Sequence, residues 1–170
     1  MKKRLSLIQM DVHVNEVEYN YVRVQELLSQ ALSEKPDIIV LPETWNTGFH
    51  PSKDLINISD RNGERTKALL STFAKEHNVN IVGGSVAVAK EDLVFNTSYA
   101  YNREGTLVGE YSKMHGFSPA KEDQYFASGT HTTHFELDGI PCSTVICYDI
   151  RFPELVRMAA LSNTELLFVP

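Results

Sequence analysis

The chain reads as a mixed α/β domain, on three observations. Residues 37–41 form a short continuous apolar run, the kind found in strands covered on both faces; residues 14–33 and 64–77 carry apolar side chains at helical spacing; and Asn102-Arg-Glu-Gly105 and Asp138-Gly139 have hairpin turn chemistry. Parallel strands separated by helices are thus joined by antiparallel ones.

In chain order, residues 3–11 read as a buried strand, and 14–33 as a helix with Val17, Tyr21, Val24, Leu28 and Leu32 on one face and Asn15 as its cap. Pro36 stops that helix ahead of the 37–41 strand, which ends in Pro42-Glu43. Residues 44–62 read as irregular, with Trp45, Gly48, Phe49 and Pro51 forming an aromatic loop fit to wall a pocket. A second helix over 64–77 leads into one strand over 79–89 that contains Gly83-Gly84. Strands at 95–101 and 107–111 flank the first hairpin turn, and strands at 132–137 and 140–147 flank the second. A helix over 151–161 and a strand over 165–169 complete the pattern.

At 170 residues, the chain suffices for one domain that buries roughly 70% of its unfolded surface. Hydrophobic residues make up 42% and charged residues 22%, and no run approaches the roughly 18 apolar residues of a membrane span. The basic start Lys2-Lys-Arg4 is followed by too short an apolar stretch before Asp11 to form a signal-peptide core, so a cytoplasmic protein is expected. A net charge of -6, from 16 Lys and Arg against 22 Asp and Glu, argues against a nucleic-acid partner. Cys142 and Cys147 are read as free thiols on opposite faces of one strand, which fits a reducing compartment.

Chemistry concentrates in Val145-Ile-Cys147-Tyr-Asp149-Ile-Arg151-Phe-Pro-Glu154. A cysteine at a strand end, where the chain turns toward a helix, is presented to substrate, which suits a nucleophile. Glu43 ends another apolar strand in a carboxylate, and Tyr111-Ser-Lys113-Met-His115 offers an amine. A thiol with an ordinary pKa near ~8.5 needs such a base or cation nearby. His131-Thr-Thr-His134 lacks the further ligands of a zinc site, and Gly83-Gly84 lacks the lysine of a phosphate loop and suits close packing; no metal and no cofactor are expected.

With Leu41-Pro-Glu43, Tyr111-Ser-Lys113-Met-His115 and Cys147-Tyr-Asp-Ile-Arg-Phe-Pro-Glu154 occurring in that order, the chain resembles the nitrilase superfamily of carbon–nitrogen hydrolases across its whole length. The resemblance implies an α-β-β-α sandwich, two sheets face to face with helices outside. Members usually run roughly another hundred residues, so residues 1–170 look like the N-terminal two-thirds of such a domain, with the C-terminal part missing.

The resemblance also implies roles. Cys147 attacks the carbon of an amide, Glu43 moves the proton, and Lys113 with the backbone N–H of Tyr148 holds the oxyanion of the path to a thioester. Glu122 matches an additional glutamate that many members place beside the lysine. Arg151 is expected to pair with a buried carboxylate, or else to face a carboxylate of the substrate; Trp45 is expected on the pocket wall, and Asp149 and Glu154 are taken as architectural. Gly116 stands where members commonly carry leucine, a departure in the loop that leads to Glu122.

The branch most similar is that of omega-amidases, which release ammonia from small dicarboxylate monoamides such as 2-oxoglutaramate. A homodimer is implied as well. The alternatives are an N-carbamoyl amino acid amidohydrolase and a non-catalytic fragment or interaction module; a thiol redox protein is disfavoured by the missing Cys-x-x-Cys.

Overall fold

A computed structural model describes residues 2–49 and 52–170, so Pro51 of the aromatic loop lies outside the described residues. The larger sheet holds seven strands: β1 (Leu5–Leu7), β2 (Ile38–Val40), β3 (Asp60–Arg61), β4 (Asn80–Val82), β5 (Val86–Lys90), β6 (Leu93–Tyr101) and β7 (Leu107–Ser112). Their order is β1-β2-β4-β6-β5-β3, with β7 paired on β6. The smaller sheet has β8 (His134–Leu137), β9 (Ile140–Thr144) and β10 (Leu166–Phe168), in the order β10-β9-β8. Helices α1 (Val17–Ala31), α2 (Leu55–Ile58), α3 (Glu64–His77) and α4 (Pro153–Leu161) accompany them.

Period-two alternation along β2 builds the layers. Ile39 and Leu41 pack with Tyr21, Val24 and Leu28 of α1 and with Leu70, Phe73 and Ala74 of α3. Ile38 and Val40 point the other way and, with Val82 and Ala100, meet Phe135, Leu137, Cys142 and Phe168 of the smaller sheet. Two apolar cores therefore flank the larger sheet, which is the expected sandwich. On the smaller sheet, α4 buries Leu155 and Ala159 beside Ser143 and Thr144.

Several expectations need correction. β1 is a three-residue strand, paired with β2 only, and its Leu5 and Leu7 are exposed where a buried strand was expected. Asn15 does not cap α1; it adopts φ 63°, and Glu16 takes the cap position with no side-chain bond. The 79–89 strand is two strands, broken where the left-handed Gly84 passes so near Pro42 that a Cβ there would lie 2.0 Å from its carbonyl oxygen. The 44–62 segment contains α2 and β3. The 140–147 strand stops at Thr144, so Cys147 lies beyond it. No described helix is long and apolar enough to cross a membrane.

Candidate active site

Glu43 lies just past β2, in a loop tied to the β4–β5 connection. Leu41 N–H donates to Val82 O, Ser85 N–H to Pro42 O and Trp45 N–H to Ser85 O, while Thr44 N–H reaches Ser85 Oγ at 3.0 Å. The Asn46 side chain both donates to and accepts from the Ala87 backbone. Thr44 adopts φ 43°, a left-handed conformation costly for a β-branched residue, held by this surrounding set of bonds.

Lys113 follows β7 and continues its ladder: Lys113 N–H donates to Asn96 O at 2.9 Å, making Asn96 its cross-strand neighbour. The Lys113 side chain is 2% exposed, and the ammonium donates to Glu43 Oε1 at 2.9 Å and to Glu122 Oε1 and Oε2 at 3.0 and 2.8 Å. Burial by itself disfavours the charged amine, but the two carboxylates outweigh it and the Lys113 pKa is raised. Glu122 is fully buried and also accepts the Phe117 N–H at 2.7 Å. The close turn it sits on uses the Gly116 departure, since a Cβ there would come within 3.0 Å of Asp123 N.

Asn96 was missed by the sequence reading. Its amide Nδ2 donates to Glu43 Oε1 at 3.0 Å and to Glu122 Oε1 at 3.1 Å, bridging the two carboxylates through oxygens that also accept from the Lys113 ammonium. Its signal is faint: a polar residue two and four positions before Ser98 and Ala100 on the face of β6 that turns toward the smaller sheet.

Cys147 opens a short 3-10 turn between β9 and α4 with φ 47°, a strained elbow that lifts the side chain out of the strand plane. It is exposed, whereas Cys142 is buried in the inter-sheet core; both are free. Partial burial, then the charge of Glu43 and its carboxylate as acceptor of the S–H, push the Cys147 thiol up to about 11, with Lys113 pulling the other way. At neutral pH the resting group is therefore the thiol. Attack requires a proton acceptor at the moment of bonding, and Glu43 is in place to be one.

Asp149, fully buried, fastens this elbow to the lysine loop. It accepts the Tyr111 hydroxyl at 2.7 Å, the Ile146 N–H at 3.1 Å, and from His115 the backbone N–H at 2.9 Å, with the ring Nδ1 at 2.8 Å. The His115 ring stacks on Phe152, 3.6 Å between centroids. The expected architectural role of Asp149 is what these bonds perform; Glu154 stands exposed in the first turn of α4.

One expected pocket-wall residue is placed elsewhere, and one expected ion pair is not formed. Trp45 is fully buried in the helix-side core, donating Nε1–H to Gly83 O at 2.9 Å and packing edge-on to Tyr21, so it walls no pocket; the loop aromatic near the site is Phe49, 5.8 Å from Lys113 Nζ. Arg151 is exposed and pairs with no carboxylate among the described residues, against the expected buried pair. Tyr148 sits next to Cys147 with its half-buried ring edge-on to Phe117 and Phe152. A groove of about 660 Å³ between α1 and residues 57–61 contains none of these groups. His131 and His134 bond Thr130 and Ser143, and no three His, Cys, Asp or Glu side chains are grouped to hold a metal among the described residues.

Residues 4–170 match the sequence model of the carbon-nitrogen hydrolase family. The chain belongs to that family. It is 38% identical over 169 residues to a 2-oxoglutaramate amidase of Bacillus subtilis, covering 99% of this chain and 64% of that protein. An omega-amidase of Danio rerio is 30% identical over 99% of this chain and 63% of its own length. The chain thus spans just under two thirds of these relatives. Among solved structures, a CN-hydrolase superfamily protein of Xanthomonas campestris with an arsenic adduct in its active site superposes with TM-score 0.79 at 30% identity, over 89% of this chain and 56% of that one. An amidase of Nesterenkonia AN1 from the nitrilase superfamily superposes with TM-score 0.87 at 22% identity, over 99% and 65%, a likeness of fold.

Proposed function

We propose that this chain carries the reacting groups of a cysteine-dependent amidase that hydrolyses a small linear amide. The observation that carries the reading is a single buried ammonium, Lys113, shared at 3.0 Å or less by Glu43 and Glu122 beside a thiol on a strained elbow. In this reading the Cys147 proton passes to Glu43 as sulfur bonds the amide carbon, and the carbonyl electron pair moves onto oxygen. Lys113 and the Tyr148 N–H stabilise that oxyanion, and one such donor is typically worth about 10²- to 10³-fold in rate. Glu43 returns the proton to nitrogen, the C–N bond breaks, and ammonia leaves a thioester behind. Water then adds to the thioester, giving its proton to Glu43, and the acid departs as the thiol is restored.

The substrate class we infer is a dicarboxylate monoamide such as 2-oxoglutaramate, supported by the Bacillus subtilis and Danio rerio relatives. A homodimer fits the exposed apolar side chains of Ile150, Met158 and Leu161 on and beside α4, and a cytoplasmic setting fits two free thiols. The test is ammonia release from 2-oxoglutaramate, from simple aliphatic amides and from N-carbamoyl amino acids, in wild-type and Cys147→Ala protein. Preference for 2-oxoglutaramate, lost in the variant, supports the reading. Preference for the carbamoyl compounds replaces it with a carbamoylase, and no turnover of any of them leaves a non-catalytic module.

A further inference from the structure

Glu43 has two carboxylate oxygens, and they are not equivalent. Oε1 accepts from both Lys113 Nζ at 2.9 Å and Asn96 Nδ2 at 3.0 Å, while neither of these donors bonds Oε2. The same Asn96 amide group holds Glu122 Oε1 at 3.1 Å, so its two hydrogens span two carboxylates that would otherwise repel across one ammonium. Its orientation is not free to reverse, because a flipped amide would set Oδ1 against two anionic oxygens. Asn96 Oδ1 is accordingly left buried without a partner, a cost accepted for the sake of the donors on the other side.

We propose that Asn96 is a positioning residue for the proton transfer: it pins Glu43 through Oε1 and so presents Oε2 to the thiol of Cys147. This rests on the reading of Glu43 as the base. Asn96 touches neither thiol nor substrate in this arrangement; it acts through the carboxylate. Because Asn96 is the cross-strand neighbour of Lys113, the β6–β7 ladder delivers the ammonium and the amide together, and the four groups are assembled by one strand pair plus two loops.

The test compares Asn96→Asp, Asn96→Ala and Asn96→Ser with wild type. It measures the pH dependence of Cys147 alkylation by iodoacetamide from pH 5 to 10, with buried Cys142 as internal reference, and kcat and KM for 2-oxoglutaramate. Aspartate has the shape of asparagine but no donors, and adds a third carboxylate. Asn96→Asp should lower kcat at least about 100-fold with KM within about 3-fold, and slow Cys147 alkylation relative to Cys142 at the alkaline end of that range. Asn96→Ala should lose about 10-fold in kcat, and Asn96→Ser, which keeps one donor, less. A residue that merely filled volume would give the opposite order, with the isosteric aspartate nearest wild type and alanine worst. That order, with the pH profile of alkylation unchanged, overturns the proposal. If Asn96→Asp does not fold, serine and alanine decide: equal kcat and wild-type pH profiles in both overturn it. Glu43→Gln is run alongside. A profile indifferent to Glu43 removes the base itself, whereas a Glu43-dependent profile that Asn96 variants leave unmoved removes only the role of Asn96.

Discussion

A charge cluster lies at each end of β2, and the two clusters put cations against carboxylates to opposite effect. At one end Lys113, Glu43, Glu122 and Asn96 are sunk in protein, with Glu122 and the lysine ammonium essentially inaccessible. At the other, Arg103 grips Asp138 through Nε and a terminal nitrogen, both at 2.8 Å, and reaches Asp37 at 2.9 Å, while Lys3 bonds Asp138 at 2.8 Å. Here a quarter of the arginine side chain remains in solvent. Solvent screens the second set, which serves to join two hairpin turns to the start of β2. The buried set cannot relax into water, so each member's charge is imposed on its neighbours and on the thiol beside them.

That contrast can be broken at its strongest point first. Cys147→Ala is expected to abolish ammonia release, a loss of at least about 10⁴-fold, with the melting temperature nearly unchanged because the thiol is exposed; turnover near the wild-type rate would remove the mechanism. Glu43→Gln should lower kcat by about 10²- to 10⁴-fold and do the reverse to the thiol. With the carboxylate charge gone, the Cys147 midpoint falls from about 11, so iodoacetamide labels it faster at pH 8 while hydrolysis slows. Slower labelling at every pH would mean that the carboxylate assists alkylation as a base more than it suppresses the thiolate.

Glu122→Gln leaves the buried ammonium with one carboxylate in place of two. A loss of about 3 kcal/mol, toward the low end for breaking a buried ion pair, should appear as a fall of about 10 °C in the thermal midpoint. The matching change in the exposed cluster, Asp138→Asn, should cost about 1 kcal/mol or less. Arg103 holds the Asp138 carboxyl below its ordinary value of 3.8, so its contribution is complete above that value and disappears as pH falls through the depressed one. The difference in melting temperature between wild type and Asp138→Asn should be flat from pH 5 to 8 and shrink below pH ~4. A difference that grew as pH fell below 4 would contradict this assignment.

Local sequence carried the groups whose meaning is local. Glu43, Lys113 and Cys147 each follow a strand, and each stands in a short run of residues whose apolar stretch and turn announce the position. Asn96 was hidden because its role depends on register. Counting back from Tyr101 opposite Leu107 would set Phe95 against Lys113; the irregularity between Ala100 and Tyr101 shifts the ladder by one and substitutes Asn96. Trp45 misled for the converse reason: an aromatic in a loop after a carboxylate suits a pocket wall, but the helix-side core takes up the ring and Gly83 offers its carbonyl to the indole N–H. The break of the 79–89 run at Gly83-Gly84 was likewise invisible until the Pro42 backbone was seen pressed against it. The two-sided reading of 37–41 succeeded because a strand covered on both faces has no polar side to misassign.

The hydrogen-bond ladder between β9 and β10 runs past the end of both strands: Val145 N–H donates to Phe168 O, and Cys147 N–H to Pro170 O at 2.7 Å. The amide of the nucleophile is thus already engaged by the neighbouring strand and is unavailable to an anion. Hydrolases that quench a developing negative oxygen with the nucleophile's own main-chain amide have a solution closed to this protein. Any such oxygen must be met from outside residue 147, and a change that loosened residues 168–170 would trade elbow rigidity for a new donor at the reacting centre.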